Sequence, residues 1–270
     1  MKRILLALAL AAAPFLASAA LTVKGSDTMV ILSQRWAEEY MKANPGKKVQ
    51  VTGGGSGIGI AALINGTTEI ANSSRNMKAD EKAKVRDRYN VMPTEIAVAK
   101  DGVTIYVNEA SPVEQLTIDQ LHKMFSGDIT NWKAVGGPDA PIVLYSRENS
   151  SGTYVFFKDN VLMGDDFASN AQTLPGTAAV VNAVSKEKNG IGYGGAAYAK
   201  GVREVKVVGK DGQGYLPSAE NVASGKYPLS RDLFMYTRGK PGGEAAEFIA
   251  YCLSPEGQAI VSKVGYFPVK

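Results

Sequence analysis

The sequence predicts an α/β fold of two lobes with a ligand cleft between them, each lobe a mixed, mostly parallel sheet flanked by helices. Three observations predict it. Short β-like runs alternate with segments of helical period, which is the mark of a largely parallel sheet. The early strands each run into a turn of small polar residues, where the ligand crevice of such a sheet forms. A long β-like run, Glu95–Asn108, is long enough to leave one unit and enter another.

The elements follow in order. Lys2 and Arg3, the apolar run Ile4–Leu16 and the triplet Ala17-Ser18-Ala19 make a charged region, an apolar region and an A-x-A cleavage site. Residues 1–19 therefore read as a secretory signal peptide rather than a membrane span. No cysteine follows the cleavage site and Cys252 is the only one in the chain, so neither a lipid anchor nor an internal disulfide is expected. Export without disulfides suits a bacterial periplasm. A strand at Leu21–Lys24 leads into Gly25–Thr28 and a helix from Met29 to Lys42, whose Ile31, Leu32, Trp36 and Tyr40 lie near helical spacing. Asn44-Pro45-Gly46 stops that helix. A strand at Lys48–Thr52 meets the glycine-rich Gly53–Gly59 and a helix at Ile60–Asn65, and a short strand at Ile70-Ala71 ends in Asn72–Arg75. After the long run, helices are predicted at Leu116–Phe125, Tyr154–Met163, Thr177–Lys188, Glu244–Leu253 and Pro255–Val264. Strands are predicted at Ile142–Tyr145, Ile191–Tyr193, Val205–Val208 and Leu233–Thr237. The lobes implied are 20–100 with 231–270, and 101–230, joined by two crossovers.

The 270-residue chain has a formal charge of +4, of which Lys2 and Arg3 supply two. Its basic residues are scattered among acidic ones, with no Lys/Arg cluster interleaved with aromatics, which argues against nucleic acid. About 250 residues after the signal suffice for one large domain or two of ordinary size.

The chemistry lies in four turns. Gly25–Thr28 offers the hydroxyls of Ser26 and Thr28, the carboxylate of Asp27 and a helix start. Gly53–Gly59 offers Ser56 and unencumbered N–H groups, and Asn72–Arg75 offers Ser74 and Arg75. The fourth, on a strand-to-helix turn, offers Arg147, Ser150, Ser151, Gly152 and Thr153. The first turn of a helix holds N–H groups without intrahelical partners and carries partial positive charge. Glycine lets the backbone approach a ligand closely. A guanidinium is a planar fork matched to an oxyanion. Taken alone, the fourth turn also reads as a serine cap beside a solvated arginine. Four such turns converging on one cleft point to an anion site.

These motifs, Gly25-Ser-Asp-Thr28, Gly53-Gly-Gly-Ser56-Gly-Ile-Gly59, Ile70-Ala-Asn-Ser-Ser-Arg75 and Ser146-Arg-Glu-Asn-Ser-Ser-Gly-Thr153, resemble the periplasmic phosphate-binding proteins of the high-affinity phosphate ABC transporter. Phe125–Trp132 and Gly190–Tyr193 support the match, which covers nearly all of the mature chain in the same order. The resemblance implies a two-lobed type II periplasmic binding fold. It also implies inorganic phosphate held in the cleft, and the chain reads as a monomeric receptor that presents phosphate to an inner-membrane permease, with no cofactor expected. By match, Asp27 and Thr28 stand where the family offers a hydroxyl and N–H groups, and Ser56, Arg147, Ser151, Gly152 and Thr153 stand on ligand positions. Two departures stand out: well-studied members carry aspartate at the place of Ser74, and an acid two residues after the arginine, where this chain has Asn149. Asp27 is the residue able to supply the missing acceptor for a phosphate proton.

The alternatives are a receptor for another tetrahedral oxyanion, a phosphate-sensing or scaffold protein, and an exported phosphohydrolase. The last needs a nucleophile with a base, yet His122 is the only histidine and no serine sits in a G-x-S-x-G elbow. One histidine and one cysteine leave little for a transition-metal site.

Overall fold

The strands run in chain order as β1 (Leu21–Gly25), β2 (Val49–Thr52), β3 (Ile70–Ser73), β4 (Pro93–Val107), β5 (Gln115–Leu116), β6 (Val143–Arg147), β7 (Gln172–Leu174), β8 (Gly190–Gly195), β9 (Arg203–Val208), β10 (Gly214–Tyr215) and β11 (Ser230–Arg238). The helices are α1 (Val30–Ala43), α2 (Ser56–Asn65), α3 (Ala79–Tyr89), α4 (Ile118–Ser126), α5 (Gly152–Asn160), α6 (Gly176–Lys186), α7 (Ala219–Ala223), α8 (Gly243–Cys252) and α9 (Pro255–Val264). This computed structural model describes residues 20–269, so the signal peptide expected over 1–19 lies outside the described residues.

Hydrogen-bonded strands follow one path, β2-β1-β3-β11-β4-β8-β6-β7, with β9 beside β4 and with β5 and β10 beside β9. The two ends of the path are parallel: β1 with β2 and β3, and β6 with β7 and β8. The middle is antiparallel, because β4 and β11 oppose each other and their outer neighbours. The chain crosses from one half to the other on β4 and returns on β11.

Those two strands also divide the core. Val98 and Ala99 of β4 and Leu233 and Met235 of β11 pack with Val23, Leu32, Trp36, Phe248 and Val261. Val103, Ile105 and Val107, further along β4, pack instead with Phe125, Trp132, Phe157, Tyr193 and Leu229. Burying each such side chain is worth roughly 1.5–3 kcal/mol, so each half has a substantial core of its own. Lys100, Asp101 and Gly102 lie on β4 between the two.

The short strands β5, β7 and β10 and the helix α7 were not predicted, and α2 begins at Ser56 rather than Ile60; two further departures concern α3 and α5. Helix α3 was not predicted: in Ala-Asp-Glu-Lys-Ala-Lys-Val-Arg-Asp-Arg-Tyr only Val85 is buried, so no apolar stripe announces it. Its signals are electrostatic, with Asp80 and Glu81 in the first turn and Arg86 and Arg88 in the last. Helix α5 begins earlier than predicted, at Gly152, because Ser151 caps it, and it ends earlier, at Asn160. Among the described residues, no helix is long and apolar enough to cross a membrane.

Candidate functional site

Because β1 lies between β2 and β3, the turns that follow these three strands lie side by side. Helix α2 packs hard on β1 at Gly59, where a Cβ would fall 2.4 Å from the Lys24 carbonyl oxygen and 2.5 Å from the Gly25 Cα. Only glycine permits that approach, and it brings Ser56 to the ends of β1 and β3. Three buried hydroxyls then form a chain. Ser26 Oγ donates to Ser74 Oγ at 3.0 Å, and Ser56 Oγ lies 3.3 Å from Ser74 Oγ while accepting from the Ser74 N–H at 3.0 Å.

The opposite wall is β6 and α5. Arg147 ends β6 and is buried, with its side chain 1% exposed. Its Nη1 donates to Thr177 Oγ1 at 3.0 Å and its Nη2 to Asp27 Oδ2 at 2.8 Å, while Nε is buried without a partner. Ser151 does cap α5, its Oγ accepting from the N–H groups of Thr153 and Tyr154 at 3.2 Å each. The turn does carry a serine cap, but its arginine is buried rather than solvated. Phe157, stacked on Tyr193 with ring centroids 3.9 Å apart, anchors α5 to β8. At Gly152 a Cβ would fall 2.3 Å from Ser56 Oγ and 2.6 Å from Ser74 Oγ. The missing side chain lets the start of α5 rest directly on the serines.

Further contacts tie the two walls together. Thr28 Oγ1 and Thr153 Oγ1 are 2.9 Å apart. The Gly57 N–H donates to the Ser150 carbonyl at 2.8 Å, and Ser150 Oγ donates to the Gly54 carbonyl at 3.2 Å. Asp27 is engaged at both oxygens, Oδ1 accepting from the Gly54 N–H at 2.8 Å and Oδ2 from Arg147. The carboxylate that meets Arg147 thus comes from the first turn, across the cleft, and not from two residues down the chain, where Asn149 stands. Burial pushes the Glu148 carboxyl up, opposed by Arg147 at 4.0 Å and reinforced by Asp27. Burial likewise raises the Tyr198 hydroxyl to about 12, so it stays a donor to the Asp27 carbonyl at 2.7 Å.

The structure brings Ser26, Asp27, Thr28, Ser56, Ser74, Arg147, Ser150, Ser151, Gly152 and Thr153 together. Arg75 is placed elsewhere: its fork meets Glu81 at 2.7 and 2.8 Å. Glu81 lies in the first turn of α3, the helix whose existence the apolar pattern did not reveal. Arg75 lines an adjoining cavity of about 490 Å³, with Ser74, Phe156, Asn160 and Arg231 among its walls. Asp101, Thr177 and Arg231 are the cleft residues that sequence reasoning did not single out. Arg231 of β11 faces Asp101 of β4 and binds its Oδ2 through Nε at 3.1 Å and Nη2 at 2.8 Å. The sequence shows only that Asp101 lies within the first predicted crossover and Arg231 just before the strand Leu233–Thr237, among other charges, which says nothing of register. Among the described residues no group of three or more His, Cys, Asp or Glu is placed to hold a metal ion. His122 meets Asp165 at 3.1 Å.

A family profile described as a PBP superfamily domain matches residues 12–256. The phosphate-binding protein PstS of Pseudomonas aeruginosa is 35% identical over 263 residues, an alignment covering 91% of this chain and 81% of that protein. PstS of Bacillus subtilis is also 35% identical, over 94% of this chain and 82% of its own length. Among solved structures, a substrate-binding protein from Clostridium perfringens with bound phosphate superposes with a TM-score of 0.85 at 32% identity, covering 93% of this chain and all of its own. An ABC-type phosphate transport receptor from Vibrio cholerae gives 0.73 at 31% identity, over 92% and 99% of the two chains.

Proposed function

The chain belongs to the PBP superfamily and, within it, to the PstS-type phosphate-binding proteins, and from that membership we propose that it captures inorganic phosphate in the cleft between its walls and hands it to the inner-membrane permease of an ABC transporter. It does so as a monomeric periplasmic receptor, not as an enzyme, with lobes at 20–100 plus 231–270 and at 101–230. One observation carries the reading: the buried hydroxyls of Ser26, Ser56 and Ser74 form a chain at the strand ends, and the glycine start of α5 lies against Ser56 and Ser74, with Arg147 buried at the end of β6.

The mechanism follows from which wall each group stands on. Ser26, Thr28, Ser56 and Ser74 meet the anion from one lobe; Arg147, the N–H groups at the start of α5 and the hydroxyls of Ser150, Ser151 and Thr153 meet it from the other. Asp27 anchors Arg147 from across the cleft. Contacts to both lobes exist together only when the lobes are apposed, so the ligand shifts the population toward the closed form. Closure expels water and strengthens each electrostatic contact.

A second reading, a receptor for tetrahedral oxyanions more broadly, is favoured by Ser74. A hydroxyl donates or accepts as required, so this turn does not demand a ligand that carries a proton. Calorimetric titration of the chain from Ala20 onward with phosphate, arsenate and sulfate tests both. Saturable phosphate binding with compaction in small-angle scattering is expected. Absence of phosphate binding would sink the proposal, and equal affinity for sulfate would replace it with the broader one.

A further inference from the structure

We propose that Arg231 is a second anion-binding guanidinium of the cleft, positioned by Asp101, in addition to bracing the strands that cross between the halves. The inference rests on the phosphate reading above. The pair is sealed from solvent, with side chains 4% and 0% exposed. A guanidinium carries five donors in one rigid plane, and Asp101 takes only one edge of this one. The rest of the fork is aimed into the cradle. Nη1 donates to the Ser74 carbonyl at 3.0 Å, and Nη2 donates to Thr153 Oγ1 at 3.0 Å and reaches Thr28 Oγ1 at 3.4 Å. Those three residues stand on three of the four turns that build the site, from both walls. The guanidinium lies over the Phe156 ring of α5, 5.2 Å from its centroid. Arg231 is thus part of the wall between the cradle and the 490 Å³ cavity.

A brace alone does not account for this arrangement. A brace needs the carboxylate, yet Asp101 Oδ1 is buried with no partner while Arg231 spends its remaining donors on cradle oxygens. A hydroxyl that accepts from Arg231 must point its own proton elsewhere. Thr28 and Thr153 lie within hydrogen-bond distance of each other, so one donates to the other and one proton is left for an oxyanion. Arg231 acts on the ligand by its charge and by presetting these hydroxyls as donors.

Titration of inorganic phosphate into wild type, Arg231→Lys, Arg231→Gln and Asp101→Asn, at low and high salt, tests the inference. Arg231→Gln should weaken binding roughly tenfold or more, the scale of one charge-assisted hydrogen bond, and should flatten the salt dependence. Arg231→Lys should recover part of both, since it keeps the charge and loses the fork. Asp101→Asn leaves the guanidinium charged but less firmly held, so its affinity should fall between wild type and Arg231→Gln with the salt dependence retained. A folded Arg231→Gln protein that binds phosphate within about twofold of wild type overturns the proposal, even with a lowered melting temperature, because that is what a brace predicts. If Arg231→Gln does not fold, Asp101→Asn combined with Arg231→Gln exchanges the ion pair for an amide pair and carries the same measurement. Failure of the wild type to bind phosphate would overturn the phosphate reading first, and this inference with it.

Discussion

Two arginine–carboxylate pairs hold the middle of this molecule, and they differ in what they span. Asp27 and Arg147 belong to opposite walls, a turn after β1 and the end of β6, and their contact exists only while the walls touch. Asp101 and Arg231 face each other on paired strands, and their contact forms as soon as β4 and β11 find register. Both arginines are buried, so each would be costly without its carboxylate. The lesson is that one cation site can be assembled by closure and another built into the crossing strands, and only the first responds directly to separation of the halves.

Breaking the cross-cleft pair should have the largest effect. Arg147→Ala removes a buried fork from the site and should weaken phosphate binding by about 1.5–3 kcal/mol, one to two decades, in a protein whose circular dichroism is unchanged. Near-wild-type affinity would leave the Asp101–Arg231 pair as the only cation that matters. Gly152→Ala attacks the closure itself, since the added Cβ would fall 2.3 Å from Ser56 Oγ. We expect a loss of roughly tenfold or more together with loss of ligand-induced compaction in small-angle scattering. Retained compaction would mean that the walls yield without harm.

Asp27→Asn sharpens the comparison. From sequence, this residue is expected to accept a ligand proton and so to favour phosphate over sulfate. In the structure it is tied to Gly54 and Arg147. The variant should therefore lose a few-fold in affinity, on the order of 1 kcal/mol, for phosphate and sulfate alike, because both depend on where Arg147 is held. A ratio that moves toward sulfate in calorimetry would restore the proton-acceptor role. The smallest binding effect is expected at Arg75, whose partner is Glu81. Arg75→Ala should leave phosphate affinity unchanged and lower stability in urea by about 1 kcal/mol. A clear loss of affinity would return Arg75 to the site.

The parts of the site that were legible in the sequence are the ones whose chemistry is local. Gly25–Thr28, Gly53–Gly59, Asn72–Arg75 and Arg147–Thr153 each place small polar residues at the end of a strand, and a strand end, a glycine and a serine cap are readable within a few residues. Helix α3 was not legible, because its only buried residue is Val85 and a single apolar position has no period. That omission carried over to Arg75, which looked available only because Glu81 was not seen as the first turn of a helix beside it.

The sequence by itself determined most of the alternating strands and helices, the polar turns that end them and the place of Arg147 at the end of a strand that leads into a helix, because each is a choice among backbone conformations made over a few neighbouring residues. Which charges meet was decided only by the tertiary structure. Asp27 lies 120 residues from Arg147, and Asp101 lies 130 from Arg231. Contacts at that separation depend on the order and register of strands and on how the halves are apposed, and neither quantity is written in any local pattern of residues.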